Sequence, residues 1–568
     1  MITIREKCII SFDDSDHSDK EIDELGYLAM PRKGILVLFF LLLICALSSV
    51  EAQTCSGSTC TANSCNETDV ANAISSAIGG SYSVVAIPSG TCTWSSNLTS
   101  PTSGTFGTLT IKGAGNLNCP SSCDDATTIA MNGVKWYLEL GTSGTFRLTG
   151  ITFESTGTTT YGVLAIQGPT SGTTAPQVRV DHIHGNMTSS TDTTLCTSFV
   201  AGVVDHSLFD ETASSEGNSA KIFWPENGDS GDQSWNTSTG LGGTNTIYFE
   251  NNIFNHGVAN DGQEGARFVF RFNTFNDASV QTHPTGGDGR GRGARALEIY
   301  ENTFTATSNC TVECGNVIWM SSGTGVIWGN TANSYYNAFA NIHEMRVDNS
   351  TYTQTATPNG WGYCGTNFNG TGSAWDQNTN TASGYTCLDQ VGRGVGDLIQ
   401  GQFPNACDKT QGCPSYNGTW PNEALEPVYE WSDSWGGSTG TFSPVMAQAN
   451  TCSPNCTGGS LIQANRDYYL WCNPSSLSGC TSFNGTVGVG SGPLASAPST
   501  CTPGTAYWAT DQGNWNTSGS GGQGELHKCT AMNTWTLYYT PYTYPHPLDT
   551  ATLTPPPPTL NQPSVAPQ

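Results

Sequence analysis

The feature that most constrains the fold is a motif that recurs at the ends of short apolar segments. When four phenylalanines are aligned, a small polar residue lies two positions before each and an apolar residue lies five positions before. The aligned sets are Phe209, Phe254, Phe275 and Phe304, then Ser207, Asn252, Asn273 and Asn302, then Val204, Phe249, Phe270 and Ile299. Such columns indicate structural units that stack on one another.

The phenylalanines are separated by 45, 21 and 29 residues, so the repeating unit is about 21 to 29 residues long. The interval of 45 residues contains either two units or one long loop. Each segment is short, alternates apolar and polar residues, and ends in Gly, Asn or Asp, as strands do. Strand-and-turn repeats with an inward apolar column and an inward Asn at the bend predict a parallel β-helix. Leucine-rich repeats would need many leucines, and a sandwich or propeller would not explain the Asn column.

One convincing helix, residues 66–80 ending at Gly79-Gly80, precedes VVAIPSGTCTW (84–94) and LTIKGAG (109–115), and the coils follow. This order resembles the opening of the right-handed β-helix proteins of the pectate lyase superfamily, over about residues 66–335. The resemblance implies an all-β fold, namely a single-stranded right-handed parallel β-helix with an N-terminal capping helix and disulfide-tied loops. It does not define the reaction, because the superfamily holds lyases, glycoside hydrolases, esterases and non-catalytic adhesins.

The first 52 residues have the features of a leader. Residues 34–47 form an apolar run that is too short to span ~30 Å of hydrocarbon; Arg32-Lys33 precede it, and Val50-Glu51-Ala52 follow it as a cleavage site. We expect translation to start at Met30, a signal peptide over 30–52, and a secreted or cell-surface protein that leaves the membrane after cleavage. A retained signal anchor is the alternative.

The remaining chain divides into three predicted parts. Residues 53–335 are the β-helix, and residues 336–548 hold later coils with Cys-rich loops and a C-terminal cover, a second domain being the alternative. Residues 549–568 form a Pro-rich tail.

Cysteine use agrees with export. Many of the 21 cysteines are closely spaced, and without Cys-x-x-Cys pairs they favour disulfides over zinc. Cys196, far from its neighbours, is the predicted unpaired residue. Asn-x-Ser/Thr sites such as Asn66 and Asn97 offer glycosylation in a eukaryotic secretory route. The net charge of -26 opposes any general affinity for nucleic acid.

Strand alternation turns the alignment into a map of the outer surface, because the residue after each inward position points outward. Adjacent coils lie about 4.8 Å apart, so carboxylates on successive coils repel unless they share a cation or a proton or meet an Arg. The predicted outward row is Asp181, Asp205, Glu250, Arg271, Tyr300 and Trp328.

A saccharide site needs the residue types found in this row. Oxygen ligands suit Ca²⁺, Arg suits a uronate carboxylate, and aromatic faces cover sugar rings. In pectate-lyase-like enzymes an Arg is the base beside Ca²⁺ held by Asp and Glu. The resemblance therefore implies Arg271 as base, with Asp181, Asp205 and Glu250 as metal ligands. Tyr300 and Trp328 are the expected sugar-binding rings, and a solvated polar surface is the alternative. His182 and His206, beside Asp181 and Asp205, are expected to be stacked packing residues.

A second signal is a cluster of basic residues in an acidic chain. Arg267 and Arg271 precede the Gly-rich loop at 282–295, which contains His283, Arg290, Arg292 and Arg295. The loop lacks a nucleotide-binding motif, so an anion pocket is the better interpretation. It makes Arg290 and Arg292 further catalytic candidates, and His283 and Arg267 substrate-binding candidates. Pairing of these arginines with Asp261, Glu264 and Glu298 is the simpler alternative.

Together these patterns predict a secreted polysaccharide-active protein, in first place a lyase that cleaves an acidic glycan by β-elimination. A glycoside hydrolase using Asp205 and Glu250 is the second interpretation, and a non-catalytic adhesive β-helix is the third. A deep groove along the row favours an enzyme. A flat face, or a loop covering Arg271, favours a scaffold.

Overall fold

The computed structural model describes residues 53–550, with internal gaps. The gaps are residues 101–107, 116–117, 143, 156, 158–161, 190–191, 212–216, 229–230, 285–291, 308–309, 311–314, 334, 337, 345–388, 398–421, 436–444, 450–461, 474–479 and 481. The predicted leader, Arg290 and most of the Pro-rich tail lie outside the described residues. Among the described residues, no helix is long and apolar enough to cross a membrane.

Sheet I has 13 strands, and all its neighbouring pairs are parallel except the hairpin of its first two strands. In spatial order the strands are β1 (Thr54–Ser56), β2 (Thr59–Thr61), β3 (Val84–Ala86), β6 (Leu109–Lys112), β9 (Thr145–Thr149), β12 (Gln177–Asp181), β15 (Ala201–Asp205), β18 (Ile247–Glu250), β20 (Arg267–Arg271), β22 (Ala296–Tyr300), β25 (Thr324–Trp328), β30 (Val428–Trp431) and β33 (Tyr468–Tyr469).

A sheet of 18 strands consists of two parallel rows, here sheets II and III, which share two long strands. Sheet II contains β4 (Gly90–Trp94), β7 (Thr127–Met131), β10 (Thr152–Ser155), β13 (His184–Asn186), β16 (Leu208–Asp210), β19 (Ile253–Gln263), β21 (Thr274–Thr282), β23 (Thr303–Thr305), β26 (Thr331–Ala332) and β31 (Ser434–Trp435). Sheet III contains β5 (Leu98–Ser100), β8 (Trp136–Glu139), β11 (Leu164–Gln167), β14 (Leu195–Ser198), β17 (Asn218–Phe223), β19, β21, β24 (Asn316–Met320), β27 (Ala338–Glu344) and β32 (Val445–Ala449).

The other described elements are short or lie at the chain ends. Strands β28 (Arg393–Asp397) and β29 (Asn422–Leu425) form an antiparallel pair. A four-stranded C-terminal sheet consists of β34 (Val489–Gly492), β35 (Ala506–Ala509), β36 (Glu525–Ala531) and β37 (Thr534–Tyr539). The helices are α1 (Glu67–Gly80), α2 (Asp232–Trp235) and α3 (Pro547–Thr550), with 3-10 turns at Glu226–Gly228 and Leu494–Ser496.

The chain visits the three sheets in turn, and each strand pairs with the strand one circuit later. The chain is therefore mostly β, and its long parallel sheets make the fold parallel β-helix-like. One extended apolar cluster fills the space between the sheets.

The phenylalanine column lies inside this core. Phe209, Phe254, Phe275 and Phe304 are paired in register on sheet II and are at most 1% exposed. Their neighbouring ring centroids are 4.9, 5.0 and 4.3 Å apart, and the rings are nearly parallel. The predicted stack is therefore confirmed, and it arises because parallel pairing places equivalent side chains one strand spacing apart.

The asparagine column forms a ladder at the bend between sheets I and II. The Asn252 backbone N–H and side-chain amide both donate to Asn273 Oδ1, at 3.0 and 3.1 Å. Asn273 donates in the same way to Asn302, which donates to Asn330. Asn330 donates to Asp433, which replaces Asn on the following coil. Each link satisfies buried backbone groups that the bend would otherwise leave unpaired.

Three details differ from the sequence expectations or resolve them. The 45-residue interval is one coil with a long loop, because Asp205 pairs directly with Glu250. Helix α1 ends at Gly80, as expected, and is capped by Ser81, whose φ of 58° is left-handed and whose N–H donates to the Ile78 carbonyl. Cys196 takes part in a disulfide, so its prediction as the unpaired cysteine was wrong.

The disulfides with described partners include two between closely spaced cysteines, Cys119–Cys123 and Cys472–Cys480. The other such bonds are Cys55–Cys60, Cys65–Cys92 and Cys501–Cys529.

Replacing Phe254 by Ala should lower the free energy of unfolding by about 3–5 kcal/mol, because the cavity would open in the middle of the ring stack. Urea unfolding followed by circular dichroism measures the loss. The control is Leu537→Ala, whose side chain is 52% exposed and which should change stability little. Equal stability of the two variants would contradict the packing role of the stack.

Candidate functional site

The predicted outward row is in register along sheet I. Asp181 pairs with Asp205, and each following member pairs with the next as far as Trp328. The row then continues to Trp431. The alignment of the coils therefore placed these six residues correctly relative to one another.

The row is covered by another part of the protein. Asp181, Asp205, Glu250 and Arg271 are all 0% exposed. Residues 540–549, here called the C-terminal strap, lie over the polar half of the row, and the C-terminal sheet packs on its aromatic half. The row is therefore covered rather than open as a groove, because its residues bind the C-terminal strap, and a covered Arg271 is the arrangement that favours a scaffold.

Arg271 is engaged on every side. Its guanidinium lies 2.6 Å from Glu250 and donates to the Tyr300 hydroxyl at 3.0 Å. It also donates to the strap carbonyls of Tyr542 and Thr543, at 2.7 and 2.9 Å. A polymer reaches Arg271 only if the strap moves. The role of Arg271 as a base stays a prediction.

The carboxylates of the row are paired with arginines, rather than with a shared cation or a shared proton, and this pairing offsets their mutual repulsion. Asp181 accepts two hydrogen bonds of 2.7 Å from Arg147, and Asp205 accepts from Arg179 at 3.0 and 2.7 Å. Burial alone would raise the pKa of Asp181, but Arg147, His182 and Arg179 together outweigh it, and the pKa lies well below its usual range. In Glu250 burial outweighs Arg271 and the pKa is raised.

These residues do not fit a Ca²⁺ ion as they are arranged. The oxygens that would coordinate the ion accept hydrogen bonds from guanidinium groups, and Glu250 also accepts the backbone N–H of His546 at 2.8 Å. Ca²⁺ prefers six to eight oxygen ligands, whereas here the counter-charges are arginines. No step proposed below uses the ion.

Arg147 and Arg179 were not singled out from the sequence, although their signal was present. They lie in FRLT (146–149) and VRVD (178–181), two residues before the outward row, and alternation places them on the same face. Residues at i and i+2 on neighbouring strands come within reach of long side chains. A map of two adjacent outward columns would have predicted the pairing.

The predicted sugar-binding rings are packing residues here. Tyr300 stacks on Trp328 with ring centroids 4.6 Å apart, and Trp328 stacks on Trp431 at 5.7 Å. Trp508 and Trp515 of the C-terminal part cover them, and Tyr300 is 0% exposed. Binding of sugar by these rings stays a prediction and requires uncovering.

The arginines of the Gly-rich loop pair with residues far along the chain. Arg292 contacts Asp389 at 2.5 Å and Glu423 at 3.3 Å, and Arg295 contacts Glu426 at 2.7 Å. The alternative, that these arginines form ion pairs, is correct, but their partners are not Asp261, Glu264 and Glu298. The partners belong to an insertion between β27 and β30, which no local pattern connects to this loop.

Arg267 is also buried. It donates to the Ser234 hydroxyl and carbonyl, at 2.9 and 2.8 Å, and to Thr237 Oγ1 at 2.6 Å. Burial lowers the pKa of Arg267 to about 10. Substrate binding by Arg267 stays a prediction, and the contacts shown hold the loop at 234–239.

His283 lies elsewhere, in a charged cluster on the outer face of sheet III. Its Nδ1 is 3.2 Å from Asp261 Oδ1, and Lys221 Nζ is 3.5 Å from Asp261 Oδ2. Gln263 donates to the same carboxylate at 2.5 Å. The His283 side chain is 32% exposed and that of Lys221 is 18% exposed, whereas Asp261 is 7% exposed. The cluster, here called the Lys221–Asp261–His283 cluster, thus combines a buried anion with two accessible basic groups.

The electrostatics keep this carboxylate ionised. Burial would raise the pKa of Asp261, but His283 and then Lys221 outweigh it, and the pKa lies well below its usual range. An ionised carboxylate beside an imidazole fixes the orientation of the ring. His283 was a binding candidate from the sequence analysis, but Lys221 was not identified, because the strand containing it lies two coils before His283.

The two histidines beside the row behave as expected. Their rings stack with centroids 5.3 Å apart, and each Nδ1 faces the preceding aspartate, at 2.6 Å for His182 and 2.8 Å for His206.

Comparison of the chain with protein-family models, curated proteins and solved structures returns no match. Any function must therefore be argued from the site.

Replacing Arg271 by Ala should lower the free energy of unfolding by about 3–5 kcal/mol, because it leaves Glu250 buried without its counter-charge. An outward Arg exposed to solvent would instead leave unfolding nearly unchanged when replaced by Ala. Thermal and urea denaturation measure it. Unchanged stability would show that the strap does not cover Arg271 in solution.

Removal of divalent cations should leave the unfolding temperature unchanged, because arginines supply the counter-charges of Asp181, Asp205 and Glu250. Calorimetry with and without a chelator measures this directly. A drop that added Ca²⁺ reverses would show instead that an ion holds these carboxylates.

Proposed function

We propose that the protein is a secreted, polysaccharide-active protein with a single-stranded right-handed parallel β-helix of the pectate lyase type, and that it cleaves an acidic glycan by β-elimination. The parallel sheets and the disulfides support a protein of this class. The Lys221–Asp261–His283 cluster carries the proposal, because it offers a base and a cation together on a partly open face.

The surroundings of the cluster suit an extended polymer. The outward row of sheet III runs from Thr99 and Tyr137 through the buried Ala165 and Cys196 to Lys221, Asp261 and Gln281, and then to Trp319. Both aromatic residues are partly exposed. The two rings lie on either side of the charged centre, along a row in which neighbouring strands are about 4.8 Å apart. They can therefore support different sugar units of one extended polymer.

The elimination would use the residues as follows. His283 takes the proton from the carbon beside the uronate carboxylate, and Asp261 orients the ring and stabilises the imidazolium. Lys221 neutralises charge that develops on the uronate carboxylate. The electron pair of the broken C–H bond forms a carbon–carbon double bond, the bond to the glycosidic oxygen breaks, and that oxygen leaves with a proton from water.

A second candidate is a non-catalytic, glycan-binding scaffold. It is favoured by the covered state of Arg271, which holds the strap. The glycoside hydrolase interpretation used Asp205 and Glu250, and both are covered in the same way. The glycoside hydrolase is therefore the least supported of the three interpretations.

His283→Ala and His283→Gln should each lower turnover of a uronate polymer by about 100-fold or more, the usual contribution of a positioned acid or base. The assay follows ultraviolet absorbance of unsaturated products together with reducing ends. Turnover is compared at temperatures where each variant is folded, because removal of His283 also takes a partner from the buried Asp261.

The matched control is His256→Ala, which removes another accessible histidine near a carboxylate, 38% exposed and 3.9 Å from Asp277. It should retain full activity. Full activity of the His283 variants would remove this cluster from the mechanism. Reducing ends without unsaturated products would indicate a hydrolase, and glycan binding without any cleavage would select the scaffold.

A further inference from the structure

Arg179 on β12 lies beneath the end of the strap, and its side chain is 5% exposed. Two of its nitrogens, Nε and Nη2, donate to Asp205. The remaining contacts come from the strap. Nη1 donates to the carbonyls of Leu548 and Asp549, at 3.1 and 2.9 Å, and Nη2 donates to Asp549 Oδ1 at 2.5 Å. The end of the strap thus occupies the Nη1–Nη2 edge of the guanidinium.

We propose that this edge of Arg179 is a carboxylate-binding site that Asp549 occupies in cis, and that the carboxylate of an acidic glycan or of a small organic acid competes for it. A guanidinium edge presents two parallel N–H groups and matches a planar carboxylate. The inference does not depend on the Lys221–Asp261–His283 cluster, which lies on another sheet.

Only a short segment must move to free the site. Helix α3 has four residues, and Pro547 at its start is exposed. The preceding part of the strap is held separately, through the carbonyls of Tyr542 and Thr543 on Arg271 and the N–H of His546 on Glu250. Displacement of residues 547–550 therefore uncovers Arg179 without releasing the rest of the strap.

The charges around Arg179 make Asp549 a weakly held occupant. Three carboxylates, those of Asp181, Asp205 and Asp549, share two guanidinium groups, those of Arg147 and Arg179. Burial, and then the neighbouring Asp205, raise the pKa of Asp549. The carboxylates of this cluster therefore outnumber its guanidinium groups by one, and the imidazoles of His182 and His206 are its neighbouring basic groups.

Protonation of His206 should stabilise any carboxylate at this place. The hydrogen bond to Asp205 raises the pKa of His206, and its charged surroundings are Asp205, Asp549 and Arg179, with the ring of His182 stacked on it. The stabilisation is complete below the ordinary histidine pKa of about 6.5 and is lost as the pH rises through the raised value.

Asp205, His206 and Asp549 also offer three ligand atoms within 4.8 Å of one another, a spacing compatible with a metal ion. Arg179 already bridges the two carboxylates, at 2.7 and 2.5 Å. The guanidinium therefore supplies the positive charge that a metal would bring.

The test is calorimetric titration of the full chain, as wild type, Asp549→Ala and Asp124→Ala, with oligogalacturonate, neutral oligogalactose and citrate. Asp124 is an exposed carboxylate, so its variant matches the change in net charge. Asp549→Ala should bind oligogalacturonate about tenfold more tightly than wild type or Asp124→Ala, because one competing charge-assisted hydrogen bond is gone. Oligogalactose should not bind. Binding of citrate as well would assign the site to carboxylates in general, and its absence would assign it to the polymer.

Two further variants test the residues that form the site. Asp549→Ala with Arg179→Lys should lose the gain, because Lys lacks the second parallel donor. In Asp549→Ala the affinity should fall as the pH rises through the His206 pKa, and adding His206→Asn should abolish that dependence. The tenfold difference between Asp549→Ala and the wild type should persist when His283→Ala is added to both, so failure of the proposed lyase reaction and failure of this site are distinguishable.

Hydrogen exchange on the wild type avoids any variant that folds poorly. Oligogalacturonate should increase exchange at residues 547–550. Unchanged exchange there, equal affinity of wild type and Asp549→Ala, or equal binding of oligogalactose would overturn the proposal. Stabilisation by Zn²⁺ in the wild type but not in Asp549→Ala would also overturn it, in favour of a metal site.

Discussion

The hydrogen bond from each asparagine to the next coil is the interaction on which the rest of the structure depends. A strand has a side-chain period of two, so a slip of one residue would turn the core phenylalanines outward and the charged row inward. The ladder from Asn252 to Asn330 prevents that slip, because each amide satisfies backbone groups at the bend and can do so only in one register. The stacked rings inside and the charged columns outside both follow from this register.

A fixed register has an electrostatic cost on the outer face of sheet I. It brings Asp181, Asp205 and Glu250 onto successive coils, where their charges repel. Arginines on the same face relieve the repulsion, and they in turn bind the carbonyls and carboxylate of the strap. The residues of this row that the sequence suggested as catalytic or metal-binding thereby hold the C-terminal strap in place. The strap and the C-terminal sheet also cover the aromatic half of the face, where Trp328 and Trp431 would otherwise be exposed to solvent.

The contrast between the two outer faces guides the functional interpretation. On sheet I every charged member of the row is buried and paired. On sheet III Lys221 and His283 are partly exposed around one buried carboxylate. A reacting group must meet its substrate, so the accessible cluster is the better candidate for chemistry, although the sequence drew more attention to the first row. The covered row is suited to holding the strap and, at Arg179, to exchanging one carboxylate for another.

The sequence by itself determined the parallel, coiled architecture, the stack of Phe209 to Phe304, the asparagine column and the order of the outward row. Each of these follows from a local period of two and a repeat that stacks like residues, which one chain displays directly. Only the tertiary structure decided which outward residues remain accessible, that Cys196 is bonded, and that Arg292 meets Asp389. These outcomes depend on contacts between segments about 100 to 370 residues apart. Such contacts have no periodic signal, because winding the chain, rather than its local pattern, determines which distant segments meet.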